Sequence, residues 1–187
     1  MELAGCRVDK GALVSFGEML SEKAAALEQD IYNMAGEEFN INSPKQLGEI
    51  LFGRLGLPHG KKTKTGWSTN ADVLEKLRWQ HPIVADVLEY RQYSKLKSTY
   101  ADGLLKVIDA DGRIRTSFQM TVTATGRLSS TEPNLQNIPT RTELGSQMRR
   151  MFVAAPGNLL VDADYSQIEL RLLAHISGDE VMQQAFR

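Results

Sequence analysis

Leu159-Leu160-Val161-Asp162-Ala163-Asp164-Tyr165-Ser166-Gln167-Ile168-Glu169-Leu170-Arg171 joins an apolar run to two acids and then to a helix start. Residues 159–165 read as a buried strand. Side chains two apart on a strand share a face, so Asp162 and Asp164 are expected to project together. A helix from Ser166 to about Ile176 should follow at once, with Ser166 and Glu169 in capping-box spacing. A carboxylate at a strand end beside a helix N-terminus suits a hard cation such as Mg²⁺. An Asp at such a junction is more often a cap or turn residue, so the pattern leaves both roles open.

Working outward, the chain divides into a helical part, roughly 10–107, and a mixed part from 108 to 187. From Gly11 to Ala35 the spacing of Leu13, Phe16, Leu20, Leu27 and Ile31 predicts a long amphipathic helix. Ser43-Pro44-Lys45-Gln46 combines a cap, a proline at the first helical position and a capping-box Gln. The helix it opens should end near Gly53 or Gly56. Leu57 to Ser68 has no periodicity and reads as a loop. Thr69 with Asp72 should open a short helix through Trp79, and Pro82 another to about Leu105. Here Ile83, Val87 and Tyr90 form a core-facing stripe, while Arg91, Lys95 and Ser98 share another face.

Beyond the turn Asp109–Gly112 the period changes. Ile114, Thr116, Phe118 and Met120 alternate with Arg113, Arg115, Ser117 and Gln119, as in a half-buried strand. Residues 121–147 are polar and read as irregular. Met151–Val153 reads as a short strand, and a further helix begins after Ser177. The fold class expected is α+β: a helical subdomain, then an incomplete antiparallel sheet with flanking helices.

The net charge of −1 gives no bulk attraction to nucleic acid, so any grip on phosphates must come from local clusters. Lys61, Lys62 and Lys64 form one cluster, and Arg141, Arg149 and Arg150 another. The single Cys6 excludes an intramolecular disulfide and a cysteine-built zinc site. No apolar run approaches the roughly 20 residues that span a bilayer, and no leader follows Met1. A cytoplasmic, nucleoid-associated location and no membrane partner are the expectation. Residues 1–9 start without a cap and Arg187 stops inside a helical pattern, so a fragment is expected.

Asp164-Tyr165-Ser166-Gln167-Ile168-Glu169-Leu170-Arg171 resembles the motif that carries the first metal-binding aspartate of family A DNA polymerases. Thr123-Ala124-Thr125-Gly126-Arg127-Leu128-Ser129-Ser130, followed by Pro133-Asn134-Leu135-Gln136-Asn137-Ile138-Pro139, is similar to a second signature of that family. Lys95-Leu96-Lys97-Ser98-Thr99-Tyr100 and Phe39-Asn40-Ile41-Asn42-Ser43 extend the likeness over nearly the whole chain.

The resemblance, to bacterial members of the family, implies deoxynucleotide addition to a primer 3′ end by two-metal phosphoryl transfer. Asp164 would bridge two Mg²⁺ ions, and the Tyr165 carbonyl would ligate one. Ser166, Gln167, Ile168 and Glu169 would lie against the incoming deoxynucleoside triphosphate, with Glu169 helping to exclude a ribose 2′-hydroxyl. Asp162 lies outside the shared motif. Arg127 would reach the minor groove near the primer terminus, beside Asn134, Gln136 and Asn137. The bland alternative for that segment is a loop of self-bonded Asn and Ser residues.

The resemblance also implies that residues 1–9 enter the palm, 10–107 form the thumb, and 108–187 begin the palm. Arg91, Lys95 and Ser98 would lie along the primer–template backbone, and Asn42, Thr99 and Arg141 would also bind DNA. Lys61, Lys62, Lys64, Ser68 and Thr69 would touch phosphates at the thumb tip. A basic stripe is, taken alone, more often a solvated face. The family's fingers helix and its later His-Asp-Glu motif do not occur before Arg187. Mg²⁺ binding is therefore expected to be weak or absent, and the isolated chain should bind primer–template without extending it. An open sheet edge would also permit self-association. Two other readings stay open: a non-catalytic DNA-binding accessory module derived from the thumb, and an unrelated hydrolase pairing Asp162 with Asp164.

Overall fold

The computed structural model describes residues 1–60, 62–63 and 66–186, with the backbone alone at Lys62 and Thr63. It falls into two compact units, Met1–Val153 and Ala154–Arg187. Mixed helix and antiparallel sheet make the chain α+β, as its periodicities imply. Among the described residues no helix is long and apolar enough to cross a membrane.

In the first unit, strand β1 (Cys6–Val8) leads into helix α1 (Lys10–Ala35). α1 starts where the Asp9 carboxylate accepts from the Ala12 amide at 2.9 Å. It stops at Gly36, whose φ of 73° turns its amide back to the Tyr32 carbonyl. Helix α2 (Pro44–Gly48) begins with the Ser43 hydroxyl accepting from the Gln46 amide, and continues into a π-helical stretch, Glu49–Arg54. The Gln46 side chain does not close the expected reciprocal box on Ser43. Its oxygen accepts instead from the Asn40 amide at 2.7 Å, which ties the preceding turn to the helix.

The expected loop Leu57–Ser68 contains a short hairpin, β2 (Lys62–Thr63) with β3 (Gly66–Trp67). Helix α3 (Ala71–Leu77) is capped by Asn70 and not by Thr69. Thr69 is buried, and its hydroxyl accepts from the Arg91 guanidinium at 3.4 Å. Helix α4 (Pro82–Lys95) begins with the proline at its first position, then runs into a second π-helical stretch, Leu96–Ala101, and a final turn, α5 (Asp102–Leu105).

Strands β4 (Arg113–Ile114) and β7 (Phe152–Val153) flank β1 in the order β4-β1-β7, antiparallel throughout, with Cys6 opposite Ile114 and Arg7 opposite Val153. The long strand expected over 113–120 is split. Arg113–Ile114 pairs with β1, while β5 (Ser117–Gln119) pairs with β6 (Ser129–Thr131) in a separate ladder. Its alternation survives as far as Phe118, but Met120 is exposed. The stretch 121–147 is less irregular than its composition suggests. It holds β6 and helix α6 (Glu143–Arg149), which Thr142 caps through the Gly145 amide at 3.1 Å.

Two cores result. Leu13, Phe16 and Leu20 of α1 pack with Tyr93, Leu96, Tyr100, Leu104, Ile114 and Met148. Ile31 and Ala35, further along α1, pack with Leu47, Leu51, Leu74, Ile83, Val84 and Val87. The N-terminal half of α1 thus meets the C-terminal end of α4, so the two helices run antiparallel through both cores. Gly17 permits the close approach, because a Cβ there would stand 3.3 Å from that of Ala101.

The second unit is smaller. Helices α7 (Ile168–Ser177) and α8 (Glu180–Ala185) meet at Gly178, φ 68°, and Asp179 caps α8 through the Met182 amide at 2.8 Å. Arg171 lies 4.9 Å over the Phe186 ring and donates to the carbonyls of Ser166 and Phe186. The buried strand expected at 159–165 does not form. Leu159 and Val161 are 88% and 87% exposed, because an apolar strand needs a ladder partner and the described residues supply none there. The helix after it starts at Ile168. Gln167 opens it at φ 53°, so Ser166 is not its cap.

Leu47→Ala should destabilise the chain by about 2–5 kcal/mol in urea unfolding, because Leu47 is fully buried. Leu172→Ala, on the exposed face of α7, should change stability by less than about 0.5 kcal/mol.

Candidate nucleic-acid interface and metal-binding carboxylate

In the first unit the sequence-predicted contact residues gather in two places along one helical rod. Lys95 and Thr99 face Pro133, Asn134 and Asn137 across a cleft of about 410 Å³ floored by Tyr100 and Leu104. Thr99 lies in the π-helical stretch Leu96–Ala101, as does Ser98, which is exposed and whose hydroxyl donates to the Lys95 carbonyl at 3.4 Å. The Tyr100 hydroxyl donates to the Asn137 carbonyl and fixes the far wall to the rod. Burial raises the Tyr100 pKa, so the phenol remains a donor at neutral pH.

The far wall is built on two buried hydroxyls. Those of Thr116 and Ser130 lie 2.6 Å apart, and Thr116 reaches the carbonyls of Thr131 and Pro133 at 3.0 and 2.8 Å. The Leu135 amide donates to Ser130 Oγ at 3.1 Å. Gln136 spans the loop, accepting from the Ser130 amide at 3.1 Å and donating to the Leu128 carbonyl at 3.0 Å. Asn134 accepts from the Gln136 amide at 3.0 Å. Gln136 and Asn134 are thus partly spent on the loop itself, while Leu135 and Ile138 anchor it in the core and leave Asn134 and Asn137 exposed. Arg127 is exposed and follows a turn closed from the Gly126 amide to the Thr123 carbonyl at 3.2 Å. Arg141 is exposed immediately before the cap of α6.

The second gathering surrounds Arg91. Its guanidinium donates to the Thr69 carbonyl at 2.5 Å, the Thr69 hydroxyl at 3.4 Å and the Ile41 carbonyl at 3.3 Å. Burial lowers its pKa from the usual guanidinium value. Asn42, exposed, and Ser68, half-buried, adjoin the two clamped residues. Lys61, Lys64 and the side chain of Lys62 lie outside the described residues.

In the second unit Asp162, Asp164 and Tyr165 are exposed on an irregular segment. Gln167 gives α7 no side-chain cap, and Ser166 and Glu169 are exposed beside it, with Ile168 half-buried. Among the described residues no three His, Cys, Asp or Glu side chains gather. Asp164 and the Tyr165 carbonyl are oxygen donors of the right kind for Mg²⁺, which keeps several waters and takes one or two carboxylates plus substrate phosphates. One carboxylate and one carbonyl are too few protein donors to hold two such ions.

Residues 10–187 match the sequence profile of DNA polymerase family A. The chain belongs to that family. It is 56% identical to DNA polymerase I of Lactococcus lactis subsp. lactis over all 187 residues, which cover 21% of that protein. With the thermostable DNA polymerase I of Thermus aquaticus it shares 53% over 190 aligned residues, 23% of that protein. It thus spans about a fifth of the length of these relatives. The POL domain of Pol1 from M. smegmatis, solved with primer–template DNA and dNTP, superposes with a TM-score of 0.85 at 45% identity, over 98% of this chain and 33% of that one.

The two family strings at Lys95–Tyr100 and Pro133–Pro139 are therefore opposite walls of one cleft. Tyr100 ends the first of these strings and Ser130 ends Thr123–Ser130, and neither had an assigned role. Thr116 was legible only as an inward-facing strand position, and nothing in the sequence singled out Gly145. In the structure a Cβ on Gly145 would overlap the Pro139 carbonyl, so glycine lets α6 press directly on the loop that carries Asn134 and Asn137. Gly145→Ala should cost about 1–3 kcal/mol in urea unfolding, as overpacking does. Unchanged stability would mean that α6 has room to retreat.

Proposed function

We propose that this chain supplies the primer–template grip and one metal-binding carboxylate, Asp164, of a DNA-directed DNA polymerase. The observation that carries the reading is the cleft between Lys95 and Thr99 on one wall and Asn134 and Asn137 on the other. It combines a cation with neutral groups able to donate and accept, the chemistry that backbone positioning and minor-groove contact require. The M. smegmatis domain, bound to primer–template and dNTP, lends it further support. On this reading residues 10–107 form the thumb and 108–187 begin the palm. Ser98, Arg127 and Arg141 extend the grip, and the exposed Asn42 and half-buried Ser68 add to it.

In the second unit, Asp164 and the Tyr165 carbonyl would ligate Mg²⁺, whose chemistry is to offset charge on the reacting phosphate. The amides opening α7 would face the triphosphate and Glu169 the sugar. Because the donor set is incomplete, the chain by itself is a binder and not a catalyst. The exposed apolar surface of Leu159, Leu160 and Val161 supports association with further polypeptide or with another copy.

Fluorescence anisotropy with a labelled primer–template duplex should show binding that weakens with salt, by a slope of about −0.9 per phosphate contact in log–log form. Lys95→Ala should weaken binding across duplex sequences and reduce the slope by about one contact. Absence of binding at low salt by folded protein would refute the grip. In a primer-extension assay free of host polymerase, the chain with Mg²⁺ and dNTPs should extend nothing. Incorporation there would refute its dependence on further polypeptide.

A further inference from the structure

Arg91 lies in line with Lys95 and Ser98, yet its guanidinium does not stand out from the helix as a stripe residue would. Three of its N–H donors are taken by groups from two other segments, Ile41 and Thr69, which lie 50 and 22 residues away in sequence. The side chain is half-buried, and Thr69 is 4% exposed. The clamped groups are backbone carbonyls that have left regular structure: Ile41 precedes the cap of α2, and Thr69 precedes the cap of α3. Such carbonyls are costly to bury without a donor, and the fork reaches them from two separate nitrogens held in one plane, whereas a lysine offers a single nitrogen on a shorter stem.

The neighbours of these clamped residues matter to the grip. Asn42 follows Ile41 and Ser68 precedes Thr69, so their placement relative to α4 depends on the fork. We propose that Arg91 is a positioning residue: it clasps the 39–43 turn and the 68–70 segment onto α4, and serves DNA binding through them rather than by contacting a phosphate. The duplex-binding part of this inference rests on the function proposed above.

The decisive comparison is Arg91→Lys with Arg91→Ala. Lysine keeps the charge and would retain most of a phosphate contact, but it cannot bond both segments as the fork does. Under the clasp, both variants should weaken primer–template binding by a similar factor, roughly tenfold. Adding Asn42→Ala to Arg91→Lys should cost little more than Arg91→Lys alone. Hydrogen exchange of DNA-free Arg91→Lys should quicken in peptides covering Phe39–Ser43 and Ser68–Asn70, while α1 and α4 stay protected and circular dichroism is unchanged. Binding like wild type by Arg91→Lys, or unchanged exchange in those peptides, would overturn the clasp and leave the grip standing. Wild-type protein that binds no duplex would overturn the grip, and the exchange of the two peptides would still decide the clasp.

Discussion

The antiparallel seam between α1 and α4 is the constraint on which the first unit depends. Each helix enters both hydrophobic cores, so neither core closes without the other. Gly17 against Ala101 sets how closely the rods approach near the cleft. The near wall of the cleft and Arg91 are positioned from this seam. Lys95, Ser98 and Thr99 project from the far end of α4 and its π-helical continuation, and Arg91 anchors two loops to its middle. A stretch of π-helix redirects side chains relative to a regular helix, and such stretches recur at functional sites. Here it carries Ser98 and Thr99.

The cleft's second wall solves a different problem, because an exposed loop rich in Asn, Ser and Pro has few apolar groups to hold it. Buried hydrogen bonds replace apolar packing. Thr116 and Ser130 share a dry node, Gln136 ties the loop's two arms, and Tyr100 joins it to the rod. No buried side-chain polar atom among the described residues lacks a partner, so the network is satisfied and can specify one conformation. The bland reading of this segment as self-bonded and the reading of it as a binding wall are compatible. Self-bonding by Gln136 is what presents Asn134 and Asn137 to solvent.

Local chemistry made much of this legible. Ser43 and Pro82 start helices through their own atoms, as their order in the chain implies, and the apolar spacing of Leu13, Phe16 and Leu20 needs no distant partner to be read. Asp9 caps α1 although residues 1–9 read as capless, and Asn70, not Thr69, caps α3. What escaped was whatever depends on contacts far along the chain. Residues 159–165 have a strand's composition, but composition does not supply a neighbouring strand. Thr116 looked like any inward strand residue, and only the fold reveals that its hydroxyl meets Ser130 and the carbonyls of Thr131 and Pro133. The i, i+4, i+7 arithmetic placed Arg91 beside Lys95 correctly. It could not tell a side chain reaching outward from one drawn back by carbonyls 22 and 50 residues away.

The contrast between the units has a physical origin in what each can bury. The first unit has two cores and a satisfied polar network. In the second, Ala174 alone is buried among the described residues, and Leu159, Val161, Tyr165, Ile176 and Val181 are 79% or more exposed. Apolar surface in that proportion is unfavourable in water unless other polypeptide covers it. Asp164 sits exposed in this segment. A metal site gains affinity from ligands held in place before the ion arrives, and an exposed, unpaired segment holds none. The same lack of burial goes with the absent strand and with the exposure of α7 and Asp164.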